Sequence, residues 1–148
     1  MKRPLDMKNA TKELNILRAL DGYKSPFEIV GTYRLIDDGF RPEATVIIKT
    51  ADKEMHEAST GVGPVDALAN VLKKSLASIF PAIQGVKLVD FSSRISDTRS
   101  GTSAKVEVSI IFTDGKKIWN VAAVSDNINM ASFMALIDGF EYAILSKE

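Results

Sequence analysis

The chain has 148 residues, 45 % of them apolar, with 19 Lys and Arg against 19 Asp and Glu, a single His and no Cys. That length allows one compact domain or two small halves sharing a core, and it is too short for a catalytic α/β barrel, which needs about 200 residues or more. Zero net charge argues against a dedicated nucleic-acid or anionic-membrane surface, and the lack of cysteine removes disulfides, thiolate nucleophiles and zinc–thiolate sites. The charged start, Met1-Lys2-Arg3-Pro4, leads into no apolar run of signal-peptide length, and the apolar stretches elsewhere fall below the roughly 20 residues that cross a bilayer. The expectation is a cytoplasmic protein with neither a membrane nor a nucleic-acid partner, and with no cofactor or metal.

After a polar start, Leu14, Ile16, Leu17 and Leu20 sit at helical spacing and predict a leading helix over 10–20, stopped by Asp21-Gly22. The period then becomes two. Phe27, Ile29, Gly31, Tyr33 and Leu35 alternate with polar residues and predict a strand that ends at Asp37-Asp38-Gly39. A β-branched run over 44–50 predicts a second strand, and a weaker third covers 53–60. Helical spacing returns after Gly61-Val62-Gly63-Pro64, with Val65, Leu68, Leu72, Leu76 and Ile79 on one face until Pro81 and Gly85.

The same order then repeats. A strand over 86–97 is followed by clean alternation over 104–112, a hairpin turn at Thr113-Asp114-Gly115-Lys116, a third strand over 118–124 and a helix over 128–145. Arg34-Leu35-Ile36-Asp37 matches Arg94-Ile95-Ser96-Asp97 at an offset of 60, Ala44-Thr45-Val46 matches Ala104-Lys105-Val106 at the same offset, and Ala67 and Leu72 match Ala131 and Leu136 at 64. Matching order, length and offset favour an internal duplication. The expected fold is therefore α+β: two βββα units over about 25–84 and 85–148, each a three-stranded antiparallel sheet covered by a helix, related by a pseudo-twofold axis, after a tail and leading helix over 1–24. Each half alone is marginal, which favours a homodimer.

The inventory for catalysis is thin. His56 lies in the weak third strand without a nucleophile-elbow pattern, and acidic pairs such as Asp37-Asp38 read as turn residues rather than metal ligands. The junction at Gly61–Pro64 is more informative, because Pro64 at the first helical position has no N–H to lose and Gly63 lets a carboxylate approach the unpaired amides of the first turn. Ordinary capping explains the same residues. Asp66 beside that helix start adds a negative group, so the pair could answer the carboxylate and ammonium of an amino acid; helix-dipole stabilisation is the simpler alternative. Ser125-Asp126-Asn127-Ile128 reads as the second, capped junction.

At these residues the chain resembles a known family. Gly61 to Leu68, Val89-Asp90-Phe91 with Arg94, Gly101 to Val106, Trp119, Val124 to Ile128 and Ala131-Ser132-Phe133 are similar to the C-terminal regulatory domain of the 2-isopropylmalate synthase and citramalate synthase family. The ending Ala135 to Tyr142 and the entry Arg18 to Lys24 resemble the citramalate branch, and the likeness runs over about 13–145. The resemblance implies a duplicated βββα dimer that binds isoleucine, or leucine, near the dimer interface and feedback-inhibits a separate catalytic synthase polypeptide. It places Gly63, Val65 and Asp66 at the polar end of the effector, Leu88, Phe91 and Ile95 along its aliphatic tail, Thr102 and Val106 on the neighbouring strand, and Asn127 and Ile128 at the second helix start. Leu88, Phe91 and Ile95 are not spaced to share one strand face, so a common pocket requires a bend or bulge. The chain departs from the family at Val62 and Asp66, where Asn is usual, at Met130, where Glu is usual, and at Phe133, where Trp is usual. The catalytic half has no counterpart, so no acyltransferase activity is expected from this chain alone. The alternative is a dimerisation or assembly module that retains no ligand site.

Overall fold

The computed structural model describes residues 7–97 and 104–146. Among them, eight strands and three α-helices run in the order β1 (Lys8–Asn9), α1 (Ala10–Arg18), β2 (Glu28–Ile29), β3 (Arg34–Ile36), β4 (Glu43–Lys49), β5 (Glu54–Thr60), α2 (Pro64–Ala77), β6 (Lys87–Asp97), β7 (Lys105–Thr113), β8 (Ile118–Ser125) and α3 (Ile128–Leu145), with a 3-10 turn at Pro81–Gly85. The class is α+β, as expected. The two sheets, however, have four strands each rather than three.

In the first sheet the predicted opening strand is cut in two. Ile29 lies opposite Ile48 but Arg34 opposite Thr45, so β2 and β3 both pair along β4 with two extra residues looped out between them. Gly31 carries that break at φ +74°, a conformation glycine adopts without steric cost. Beyond β4, β5 pairs antiparallel from Glu43–Thr60 to Lys49–Glu54. The second sheet has the order β1-β8-β7-β6, and its fourth strand is β1, which pairs in parallel with β8 through Lys8–Trp119 and Asn9–Asn120. Past β1 the hydroxyl of Thr11 continues the edge, accepting from the Ala122 amide at 2.9 Å.

Alternation decides which face is dry. Ala44, Val46 and Ile48 of β4 are buried under α2, and Val108, Ile110 and Phe112 of β7 are buried under α3. The helices also pack on each other, and the Tyr33 ring meets Phe133 edge-on at 4.8 Å, tying α3 to the first sheet. Every buried position of α2, from Ala67 to Leu76, has a buried counterpart in α3 64 residues later. α3 is long and apolar enough to cross a membrane by length and composition, but most of it is buried against β7, β8 and α2, as the core helix of this fold. The leading helix ends at Arg18, short of the predicted Leu20, and buries Ala10 and Leu14 while Ile16 and Leu20 remain exposed.

Candidate functional site

The start of α2 is built from two glycines with different duties. A β-carbon on Gly61 would stand 2.4 Å from the Ala67 amide nitrogen, so the end of β5 can lie on the helix only without a side chain there. Gly63 is the N-cap in an extended conformation (φ −147°, ψ 174°), has open space around its Cα, and brings no side-chain cap to the first-turn amides. Asp66 is already engaged: its carboxylate accepts from the Val62 amide at 2.9 Å and from Asn70 at 3.5 Å, while Asn70 also donates to the Thr60 carbonyl at 3.0 Å. The junction is thus braced by Asp66 and left open at Gly63.

The start of α3 is closed in the way its sequence predicts. The Asn127 side chain accepts from the amides of Asn129 and Met130 at 2.9 and 3.1 Å, and Ser125 Oγ accepts from the Asn127 amide at 3.2 Å. Ile128 stands partly exposed beside it.

The bulge that the aliphatic trio requires is present. Pairing on β7 jumps at Val89, so that Leu88 faces Phe112, Phe91 faces Ile110 and Ile95 faces Val106. Cross-strand partners share a face, and the face of Phe112 and Ile110 is the one α3 buries. Leu88, Phe91 and Ile95 thus extend the core face of the second sheet outward, past the cover of α3, and are 37 %, 38 % and 57 % exposed. Val106 sits half-buried at their margin. Thr102 lies outside the described residues.

The expected site residues therefore form two groups on different sheets. Gly63, Val65 and Asp66 ride on α2, which packs on β4, β5 and α3, whereas Leu88, Phe91 and Ile95 ride on β6, which packs on β7. Neither group lines any of the five concavities described for the chain. His56 is exposed on β5 opposite Ile47. No group of three His, Asp or Glu side chains that could hold a metal occurs among the described residues.

One polar cluster escaped the sequence reading. Glu141, only 2 % exposed, receives Arg18 Nη2 at 3.0 Å and the Tyr23 hydroxyl at 2.5 Å, and the same Arg18 nitrogen reaches Asp138 at 2.8 Å. One step along, the Tyr142 hydroxyl donates to Glu13 at 3.0 Å. Burial, then the bond to Glu141, holds the Tyr23 hydroxyl well above its usual pKa. Burial likewise raises the Asp138 carboxyl in spite of Arg18. Burial opposes the charge of Arg18, yet Asp138 and Glu141 together raise its pKa. These contacts fasten α1 and the turn after it to α3. Beside them a concavity of about 350 Å³ opens between Asn15 and Arg18 of α1 and Met134 and Ile137 of α3. Glu141 falls on the helical period of α3, so its sequence position carries no sign of a partner more than a hundred residues earlier.

Comparison with known proteins bears on all of this. Residues 17–144 match the model of the LeuA allosteric (dimerisation) domain. The chain is 37 % identical over 145 residues to an (R)-citramalate synthase of Geobacter sulfurreducens and 38 % identical over 145 residues to that of Aquifex aeolicus, covering 94 % of this chain and 27 % of each relative. An (R)-citramalate synthase of a Synechocystis species is 32 % identical over 138 residues. The chain thus spans about a quarter of the length of these curated relatives.

Proposed function

The chain belongs to the LeuA allosteric (dimerisation) domain family, and we propose that it acts as a homodimeric effector domain that binds a branched-chain amino acid and restrains a citramalate-type synthase polypeptide in the cytoplasm. The observation that carries this reading is the bulge at Val89, which gathers Leu88, Phe91 and Ile95 on one uncovered face. An aliphatic side chain has a matching surface there, at about 25 cal/mol per Å² of apolar area removed from water. The polar end of the ligand meets the uncapped amides of α2 beside Gly63 and the edge of Asp66, with Asn127 and Ile128 at the margin. Because these two groups ride on different sheets, the site is completed between two copies of the chain. Isoleucine is preferred over leucine. One methylene is worth only about 1–3 kcal/mol in such a pocket, so the ranking must be measured.

The chain alone has no acyltransferase role in this reading, and the synthase is the polypeptide it controls. We also read 25–84 and 85–148 as two copies of one ancestral unit, which the matching buried positions of α2 and α3 support.

Calorimetry with isoleucine, leucine and valine is the test, with the strongest binding expected for isoleucine. No heat and no thermal shift with any of the three at millimolar concentration would remove effector binding. The assembly-only alternative draws on the engagement of Asp66 with Val62 and Asn70. It predicts that Asp66→Ala lowers stability while no amino acid binds either form.

A further inference from the structure

Of the long sheet edges in this domain, two are closed by the chain itself. β8 is covered by β1 and by Thr11, and β5 has its Ala58 and Thr60 carbonyls taken by Lys74 and Asn70 of α2 at 3.0 Å each. β2 and β3 are short pieces separated by a break, a usual way of blunting an edge. β6 differs from all of these. It is the longest strand, at 11 residues, it ends its sheet, and every residue from Lys87 to Ile95 is exposed. An alternating strand exposed on both faces has lost a neighbour, because at least its apolar face normally lies under cover.

We propose that the open edge of β6 pairs antiparallel with β6 of a second copy, about a twofold axis through Ser92, joining the two β6-bearing sheets into one continuous sheet. The proposal rests on the reading of the chain as a dimer and adds the edge and register it uses. Two observations set the register. Irregularities between Leu88 and Asp90 and between Ile95 and Asp97 confine regular pairing to 90–95, so the axis falls near the middle of that run. Within it Asp90, Ser92 and Arg94 share the outer face, opposite Ile111, Ser109 and Glu107 of β7. An axis through Ser92 sets Asp90 of each copy against the partner's Arg94, whereas axes through Asp90 or Arg94 would oppose like charges. Arg94 already holds Glu107 at 2.5 Å with its side chain 74 % exposed, so the partner's Asp90 completes an acid–base–acid row across the junction. On the inner face the same pairing puts Phe91 beside the partner's Ser93. The two apolar strips then form one trough floor between the α3 helices of the two copies.

The chain has no native cysteine, so single-cysteine variants of the full chain give a clean readout. Under mild oxidation Ser92→Cys should cross-link most of the protein into a covalent dimer, and Glu54→Cys on the capped β5 edge should not. Asp90→Arg and Arg94→Asp should each raise the dimer dissociation constant about tenfold or more, since a twofold interface feels each change twice, and the double exchange should restore it to within about threefold. A dimer by light scattering that neither cross-links at Ser92 nor responds to the exchange overturns the β6 pairing and leaves the dimer reading standing. A monomer at micromolar concentration overturns both.

Discussion

Gly139 of α3 lies directly beneath the ring of Phe112: a β-carbon placed there would stand 2.0 Å from the phenyl Cε1. The Gly139 carbonyl also accepts Trp119 Nε1 at 3.1 Å, while Phe112 is parallel to Trp119 within 3° and meets Phe140 edge-on. α3 therefore approaches the second sheet at backbone distance. Gly139→Ala is expected to lower unfolding free energy by roughly 2–3 kcal/mol, because the ring and the helix cannot both stay in place. Urea unfolding checks this through a lower midpoint at unchanged slope; a change within about 0.5 kcal/mol would mean that α3 shifts without cost.

The two glycines at the start of α2 should separate stability from binding. Gly61→Ala drives a methyl into the Ala67 backbone and is expected to cost about 2 kcal/mol, whereas Gly63→Ala meets nothing within 4 Å and should cost under about 0.5 kcal/mol. If the effector carboxylate reaches these amides, Gly63→Ala weakens isoleucine binding at least about tenfold with the melting curve almost unmoved. Paired melts and calorimetry decide it.

The clamp on α1 should be breakable from one position. Glu141→Gln keeps the shape of the side chain but removes the charge that holds Arg18 and takes the Tyr23 hydroxyl. Because Arg18 remains partly in water, the expected loss is modest, about 1–2 kcal/mol. Hydrogen exchange should rise over 10–23 and stay unchanged in β7, and a uniform rise across the chain would contradict a local clamp.

All three tyrosines titrate late. Burial, then Glu13, pushes Tyr142 up to about 12; burial and Glu141 push Tyr23 further in the same direction; burial alone raises Tyr33. Each favours the neutral phenol in the folded chain. Their contribution to stability is complete below pH 10, the ordinary tyrosine value, and is lost as pH climbs through the folded values. Absorbance at 295 nm should show Tyr23 and Tyr142 ionising well above the normal tyrosine midpoint near pH 10, with α1 loosening above about pH 11–12. Three ordinary midpoints near 10 would contradict the burial of these hydroxyls.

Local periodicity carried much of this architecture. α3 spans the residues its sequence predicted, and the alternation of β7 places Val108, Ile110 and Phe112 inside. The need for a bulge near Leu88, Phe91 and Ile95 was legible from spacing alone; its position at Val89 was not, because it depends on the pairing with β7. The α2 boundary slipped for a local reason: the helix ends at Ala77, with Ser78 as its cap, and Pro81 begins a separate 3-10 turn.

Long-range features left no local trace. An offset of 60 matches Arg34 to Arg94 and Thr45 to Lys105 in sequence, yet Arg34 pairs with Thr45 while Arg94 pairs with Glu107, 62 residues beyond Thr45. Ile16 and Leu20 keep helical spacing but are exposed, while Arg18 and Glu13 of the same segment bond to Glu141 and Tyr142 of α3. The polar half of the candidate site was visible as a helix start, and the engagement of Asp66 by Val62 and Asn70 was not.

The pairing of Lys8 with Trp119 has a consequence for synthesis. The first strand of the domain has no partner until the residues of β8 leave the ribosome, more than a hundred codons later. At about 5–20 residues per second, that is a wait of roughly 5–20 seconds during which Ala10 and Leu14 lack the cover that buries them in the finished fold. The step that completes this domain is therefore late and non-local, and α1 is the element that waits longest for its cover.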